Sequence, residues 1–541
     1  MPRSLLSRLA SGTSYLCPRC ALRTALIQRR RFSTARYARQ GISVLRMLEE
    51  RGLVNQIAGD RATLERLLDA RKTGFYAGID PTASSLHLGH LLPLMVLFWL
   101  HHHGHYTVSL IGGATAKVGD PSGRLTSRAK TAEDVIDSNF RSLHAQVGNL
   151  WESVIKYGAR RKIGTSLGKR ELLNNAEWLD HLKILTFLRM MGNGARLGAM
   201  LSRDTVKNKM EQGDGMSYSE FTYPLLQAWD WWQMYHDRSV QIQIGGGDQY
   251  GNIIAGIDAV KHIAQYASQS EHQKKWLDQE GRLKDDLSPM GLTVPLLTTS
   301  SGEKFGKSAG NAVWLDRSMT SPFDLYGFLL RSADDDVERY LKLFTFVPTT
   351  EIDTVMEAHR SNPGQRRAQH QLATEVLELV HGAEIAAKTR SEHEWLRAPT
   401  LATLSRSSDS ENESASADNA AKRTKLPKSL VYNTPFSRIL YHAGLVGTKS
   451  EGARVIGKNG AYVATASGQS NISDEAQLGF VQIKEQKASE VQNLVVDGLL
   501  ILRLGKWKVR VIEIVEDSDF DADGTDAPGW KEFKETARSR L

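Results

Sequence analysis

The chain reads as an α/β protein: an open, doubly wound parallel sheet, then a helical block, then a small α+β module. Three observations carry this reading. Short apolar runs with the look of buried strands, "GFYAGID" (74–80), "YTVSLIGGATAKVGD" (106–120) and "SVQIQIGGGDQYGN" (239–252), alternate with helical patterns such as "HLGHLLPLMVLFWLHHHGH" (87–105). Glycines stand at the strand ends, as they do where a parallel sheet opens a ligand crevice at its carboxyl edge. Residues 398–424 are rich in Ser, Ala and acids, hold no aromatic residue and cannot bury enough surface to fold, so they divide off the last part of the chain.

Taken in order, residues 1–40 contain no acid and are rich in Arg, Ser, Ala and Leu, the composition of a mitochondrial presequence rather than a secretory signal. Arg30-Arg31-Phe32-Ser33 reads as its processing site, and loss of residues 1–32 removes seven arginines, taking the formal net charge from +8 to +1. The body is then nearly neutral, so any nucleic-acid contact must be local. The two cysteines, Cys17 and Cys20, fall inside this head, so their Cys-x-x-Cys spacing is read as incidental and no disulfide framework is expected.

Residues 33–73 show apolar residues at helical spacing (Val44, Leu45, Leu48, Leu64, Leu67, Leu68) and are expected to be a helical segment. The sheet domain spans 74–319, with a mostly helical insertion at about 125–215. A second helical block follows at 320–397, then the linker 398–424, a basic module at 425–516 and a tail at 517–541. The longest apolar run, Leu91 to Leu100, is about half the ~20 residues that a membrane helix needs, so no membrane partner is expected.

Two fragments carry chemistry. In "HLGH", His87 and His90 share a face at a helix start, where free N–H groups and imidazole donors suit phosphate. In "SGEKFGKSAGN" (301–311), Lys304, Lys307 and Ser308 lie in a glycine-punctuated loop. The second is not a P-loop, because Gly302 and Gly306 are one residue too close. A polar stripe adds to these. Tyr223, Gln227 and Asp230 fall at i, i+4 and i+7 on one helix, with Ser217-x-x-Glu220 as its capping box and three tryptophans around it, so the stripe is expected to be buried and in need of a partner.

The histidine pair followed by Lys-Phe-Gly-Lys-Ser resembles the HIGH and KMSKS signatures of class I aminoacyl-tRNA synthetases. "YAGIDPTASSLHLGH", "GGATAKVGDPSGR", "YSEFTYPLLQAWD", "QIGGGDQYGN" and "KFGKS" follow in the order and approximate spacing of the tyrosyl-tRNA synthetases, over residues 41–515, and the presequence points to their mitochondrial branch. The resemblance implies a Rossmann-like catalytic domain, an anticodon-side helical domain and an RNA-binding module like one in a small-subunit ribosomal protein. It implies attachment of L-tyrosine to tRNA(Tyr) at the expense of ATP with Mg2+, as a homodimer in the mitochondrial matrix.

Carried over by position, the resemblance gives Tyr76 and Asp230 to the phenol of the substrate. Asp120, Tyr223 and Gln227 would hold its ammonium group, with Thr115 and Gln249 nearby. Gly78, Asp80, His87, His90, Gly245, Gly246, Gly247, Asp248 and Lys307 would bind ATP. Thr82, Arg124, Arg128, Lys304, Lys307 and Ser308 would surround the leaving pyrophosphate. The family usually has lysine at Arg124, and Gly306 departs from its third KMSKS position. In the module, Arg438, Lys449, Arg454, Lys458, Arg503, Lys506, Lys508 and Arg510 are the expected RNA contacts, the last four alternating on a strand.

Two other readings stand beside this one. A tryptophanyl enzyme shares the fold but is disfavoured, since Tyr76 with Asp230 suits a phenol. Some fungal relatives also help group I introns to fold, and residues 156–170, with Lys156, Arg160, Arg161, Lys162, Lys169 and Arg170, are the stretch that could touch intron RNA. A solvated loop is the blander expectation there. The cluster His101, His102, His103 and His105 points in several directions without a cysteine nearby, and is not read as a zinc site.

Overall fold

The computed structural model describes residues 43–126, 131–164, 166–267, 276–300, 307–308, 311–397, 422–465, 479–483, 498–505, 508–522 and 527–538. The expected presequence, Arg128, Lys304, Lys506 and linker residues 398–421 lie outside them. Two compact units divide the chain, Met1–Thr389 and Arg390–Leu541.

In the first unit a six-stranded sheet has the order β1-β6-β5-β2-β3-β4. Its strands are β1 (Gln56–Ala58), β2 (Gly74–Ile79), β3 (Tyr106–Ile111), β4 (Arg170–Asn174), β5 (Val240–Gly246) and β6 (Met290–Val294). All pair in parallel except β1, which runs antiparallel to β6 at the edge. The connections turn one way from β2 to β3 and the other way to β5, so the crevice of a doubly wound sheet opens beside β2.

The helix Leu91–His102 is apolar around its whole circumference because it is enclosed on every side, and its residues 94–98 are completely buried. It ends in the histidine cluster. His101, His102 and His105 are at most 2% exposed, and the His102 ring fills the notch left by Gly158, where a Cβ would come within 2.1 Å of it. Burial holds His101 and His102 down at about 4, so they are neutral core side chains among Trp151 and Phe346.

Four expectations are corrected. The segment 33–73 is not all helix, since it supplies β1, whose three residues are too few to show a period. The insertion 125–215 contains β4, a half-polar edge strand that lacks a strong apolar run. The module starts inside the expected linker: Lys422–Pro427 is a strand (β9) whose charges are tolerated because it lies at a sheet edge. The tail 517–541 is not merely an appendage, since in its described part the helices Asp517–Ala522 and Trp530–Arg538 send Phe520 and Trp530 into the module core.

The stretch 156–170 is also differently employed. It ends the long helix Glu133–Arg161, and there Arg160 pairs with Glu375 and Glu378, while Arg161 pairs with Glu351 and Glu375. Lys169 pairs with Glu171 and Arg170 with Glu152. Glu375 and Glu378 lie on the helix Arg367–His381, so these arginines join the sheet domain to the helical block instead of forming an open cationic patch. Tyr157 completes the joint by donating to Glu375 at 2.6 Å and accepting from the Phe346 N–H at 3.1 Å.

The second unit is a five-stranded sheet of order β11-β10-β12-β13-β9, antiparallel apart from the β13–β9 pair. Its other strands are β10 (Ala461–Thr465), β11 (Gly479–Gln482), β12 (Leu499–Leu504) and β13 (Lys508–Val515). Helices Phe436–His442 and Lys449–Gly457 share its core. On these helices and just after the second, Arg438, Lys449, Arg454 and Lys458 are exposed, with Lys449 paired to Glu532 at 2.9 Å.

The expected run of cations from Arg503 to Arg510 is not one strand face. The register pairs Arg503 with Val509 and Arg510 with Leu502 across a hairpin, which puts the two arginines on opposite faces. Arg503 lies 4.6 Å and 4.3 Å from the ring centres of Tyr462 and Phe480, and Arg510 donates to the Gly444 carbonyl. The side chain of Lys508, like Lys506, lies outside what is described.

Candidate active site

A cleft of about 640 Å³ opens at the carboxyl ends of the central strands. It is lined by Tyr76, Gly78, Asp80, Thr82, His87, His90, Thr115, Asp120, Arg124, Tyr223, Gln227, Asp230, Gly245, Gly246, Gly247, Asp248 and Gln249, which the sequence scatters over 174 positions. Arg128 and Lys304 lie outside the described residues. Lys307 and Ser308 form a two-residue strand (β7) paired with Asn311–Ala312 (β8), and their side chains are not described.

The deep end is built on the helix Tyr218–Arg238. Its capping box is complete, with the Ser217 hydroxyl accepting from the Glu220 N–H and the Glu220 carboxylate accepting from the Ser217 N–H. The fully buried Lys209 ammonium also holds Glu220, so the start of the helix is fixed twice. From that start, the spacing of Tyr223, Gln227 and Asp230 turns all three into the cleft, as the stripe predicts.

Asp230 is 3% exposed and accepts from Trp178 Nε1 at 2.7 Å and Asn175 Nδ2 at 3.0 Å. Burial pushes its carboxyl up to about 7, against the pull of those two donors. Tyr76, beside it, is fully buried, and among the described residues its hydroxyl has no hydrogen-bond partner. The Gln243 Oε1 is in the same condition and lines the same cleft. Buried polar atoms left open in a cleft call for a ligand that completes them.

The waist is a closed network. Asp80 accepts from Thr115 Oγ1 at 2.8 Å and from the Tyr223 hydroxyl at 2.7 Å. Asp120 accepts from Gln249 Nε2 at 2.7 Å and from the Ser122 N–H at 3.0 Å. Asn252 donates to Gln227 Oε1 at 3.1 Å and Gln249 Oε1 at 3.2 Å. Two carboxylates with carbonyl oxygens around them suit a cation with several donors, such as an ammonium group.

The mouth is lined by glycine and histidine. Gly78 has nothing within 4 Å of where a Cβ would stand, so the strand backbone is open there to a flat ligand. His87 and His90 stack at 3.8 Å on a single 3-10 turn, Leu88–His90, ahead of the helix Leu91–His102. His87 Nδ1 accepts from the Gly89 N–H and His90 Nδ1 from the His87 N–H, so each neutral ring carries its proton on Nε2. Burial, with repulsion from His87, holds His90 at about 3. His90 is therefore an uncharged donor at neutral pH, which can bind phosphate oxygens without a proton to lose.

Sequence reasoning missed Asn175, Trp178, Gln243 and Asn252. Gln243 was visible in principle, as the polar alternate of "VQIQI" on a central strand. Asn175 and Trp178 follow β4 directly and were hidden by the helical reading of the insertion.

Residues 68–396 match the tRNA synthetases class I (W and Y), and residues 414–532 match the tyrosyl-tRNA synthetase C-terminal domain. The mitochondrial tyrosine--tRNA ligase of Podospora anserina is 45% identical over 503 residues, 89% of this chain and 76% of that protein. The mitochondrial tyrosine--tRNA ligase of Homo sapiens is 34% identical over 84% of this chain and 88% of its own length. A C-terminally truncated Aspergillus nidulans mitochondrial tyrosyl-tRNA synthetase superposes with a TM-score of 0.60 at 43% identity, covering 69% of this chain and 99% of that one.

Proposed function

From the premise that the chain belongs to the class I tRNA synthetases of the tryptophan and tyrosine group, we propose that it attaches L-tyrosine to mitochondrial tRNA(Tyr) through a tyrosyl-adenylate. The observation that carries the choice of amino acid is the buried Tyr76 hydroxyl left open beside Asp230. A phenol completes both groups. An indole presents no oxygen there.

Within the cleft, Asp120, Tyr223 and Gln227 take the ammonium group, with Thr115 and Gln249 nearby, Asp80 lies on the ATP side with Gly78, and the substrate carboxylate is left facing the mouth. That carboxylate attacks the α-phosphorus of ATP and pyrophosphate leaves, so no side chain acts as nucleophile. Gly78 and Gly245 to Gly247 take the nucleoside, Asp248 its ribose, and His87 and His90 donate to phosphate oxygens. Thr82, Arg124, Arg128, Lys304, Lys307 and Ser308 surround the leaving group. Positioning and fixed donors lower the barrier. Magnesium enters as the counter-ion of ATP and neutralises its phosphates.

We place the enzyme in the matrix, on the presequence-like head. The second unit offers Arg438, Lys449, Arg454 and Lys458 to tRNA phosphates. A homodimer is supported by exposed apolar side chains on consecutive short helices of the insertion: Ile184 (66%), Leu185 (76%), Leu197 (66%), Leu201 (56%) and Met210 (60%). Sedimentation should give twice the chain mass, and Leu185→Glu with Leu197→Glu should give the monomer; an unchanged mass in the variant would move the interface elsewhere. With four of the six cations of 156–170 in ion pairs, nothing among the described residues favours an intron partner.

ATP–pyrophosphate exchange across all twenty amino acids tests the assignment. Exchange is expected with tyrosine alone. Equal exchange with tryptophan, or none with tyrosine, would overturn it.

A further inference from the structure

We infer that Gln146 is a positioning residue for adenylate formation, which sets the segment carrying both histidines; the inference rests on the proposed function. Gln146 is half-buried in the middle of the helix Glu133–Arg161 and does not line the cleft. Its Oε1 accepts the Leu86 N–H at 2.7 Å and its Nε2 donates to Ser85 Oγ at 3.2 Å. One amide thus grips the two residues before His87.

The same two residues are stitched to the chain that follows the Lys307–Ser308 strand. Ser85 Oγ accepts the Asp316 N–H at 3.2 Å, and the Leu86 carbonyl accepts the Leu315 N–H at 2.8 Å. Leu88 donates to the Val313 carbonyl at 3.1 Å, and His87 stands opposite Trp314 in an antiparallel bridge. Gln146 therefore fixes, through Ser85 and Leu86, the root of the histidine turn and the root of the lysine loop together. Seven residues earlier on the same helix, Asn139 donates to the Pro81 carbonyl at 3.2 Å, which holds the other end of the Pro81–His87 segment.

The chemistry explains why such a grip matters. Charge on the leaving pyrophosphate develops in the transition state, so donors displaced by a fraction of an ångström cost rate, while the tyrosine end of the cleft is untouched. Leu86 is completely buried, so removing its acceptor leaves an N–H unpaired unless the segment shifts.

The test uses Gln146→Met, Ser85→Ala and the double variant, with tyrosine-dependent exchange, equilibrium tyrosine binding and thermal melting read on each. For Gln146→Met the exchange kcat should fall about 10- to 100-fold, with tyrosine affinity within about threefold of the parent. The double variant should fall no further than the worse single one, because the groups act as a unit. An exchange kcat within twofold of the parent, or tyrosine affinity lost in step with kcat, overturns the inference. Should Gln146→Met fail to fold, Gln146→Glu keeps the Leu86 bond and loses the donor to Ser85; it should lose about tenfold in kcat, and parent-like exchange would overturn the inference equally. A parent protein that does not exchange with tyrosine counts instead against the proposed function, before any variant is read.

Discussion

Asp230→Ala should lower the selectivity for tyrosine over phenylalanine by at least about a hundredfold, because it removes the buried acceptor that makes the absent hydroxyl costly. Rejection of phenylalanine by about 10⁵ is the figure measured for tyrosyl enzymes in general, and this cleft supplies the reason for it, not the number. In the parent, a bound phenylalanine leaves the Tyr76 hydroxyl without a partner and Asp230 with only the Trp178 and Asn175 donors for its buried charge; in the variant that charge is gone. Comparing kcat/KM in exchange for the two amino acids decides the matter, and unchanged selectivity would remove Asp230 from phenol recognition. A pH dependence accompanies it. Since burial holds the carboxyl at about 7, the parent should bind tyrosine more weakly as pH falls through 7 and Asp230 takes up a proton, whereas Asp230→Asn should bind with no such step.

Removing residues 398–541 should leave tyrosyl-adenylate formation near the parent rate and lower tRNA charging by roughly a hundredfold or more, since phosphate contacts dominate RNA affinity. The first unit is expected to fold without the second, since Met1–Thr389 is a compact unit by itself. Charging at increasing salt should separate the two proteins, with the parent losing affinity more steeply. Normal charging by the truncated chain would leave Arg438, Arg454 and Lys458 without their proposed ligand. A cut at 516 is a different experiment: it removes Trp530 from the module core and is expected to unfold the module outright.

What the sequence made legible was local. The histidine turn, the capping box and the Tyr223–Gln227–Asp230 stripe are each contained in a few consecutive residues, and each lies where its spacing requires. The misses are long-range. Arg160 and Arg161 look like an open basic run until Glu375 and Glu378 arrive from a helix more than two hundred positions on. Asn175 and Trp178 owe their place to an edge strand without periodicity of its own. Arg503 and Arg510 read as one face until the register of a hairpin separates them. Charge counting and hydrophobic period describe a chain's neighbours along itself, and these contacts depend on neighbours across the fold.

The position of Trp530 bears on the order of events in time. The module opens with β9 at Lys422, yet β9 pairs with β13 and shares its core with Trp530, so about a hundred residues separate the first strand from the last of these partners. During synthesis or threading through a membrane from the N-terminus, the first unit has all its strands while the second is still waiting for its last helix. The adenylating part can thus be assembled and at work first, and a chain interrupted near residue 516 would activate tyrosine with no folded module beside it. A chain that stops short of Trp530 is therefore expected to lack a complete core in its second unit.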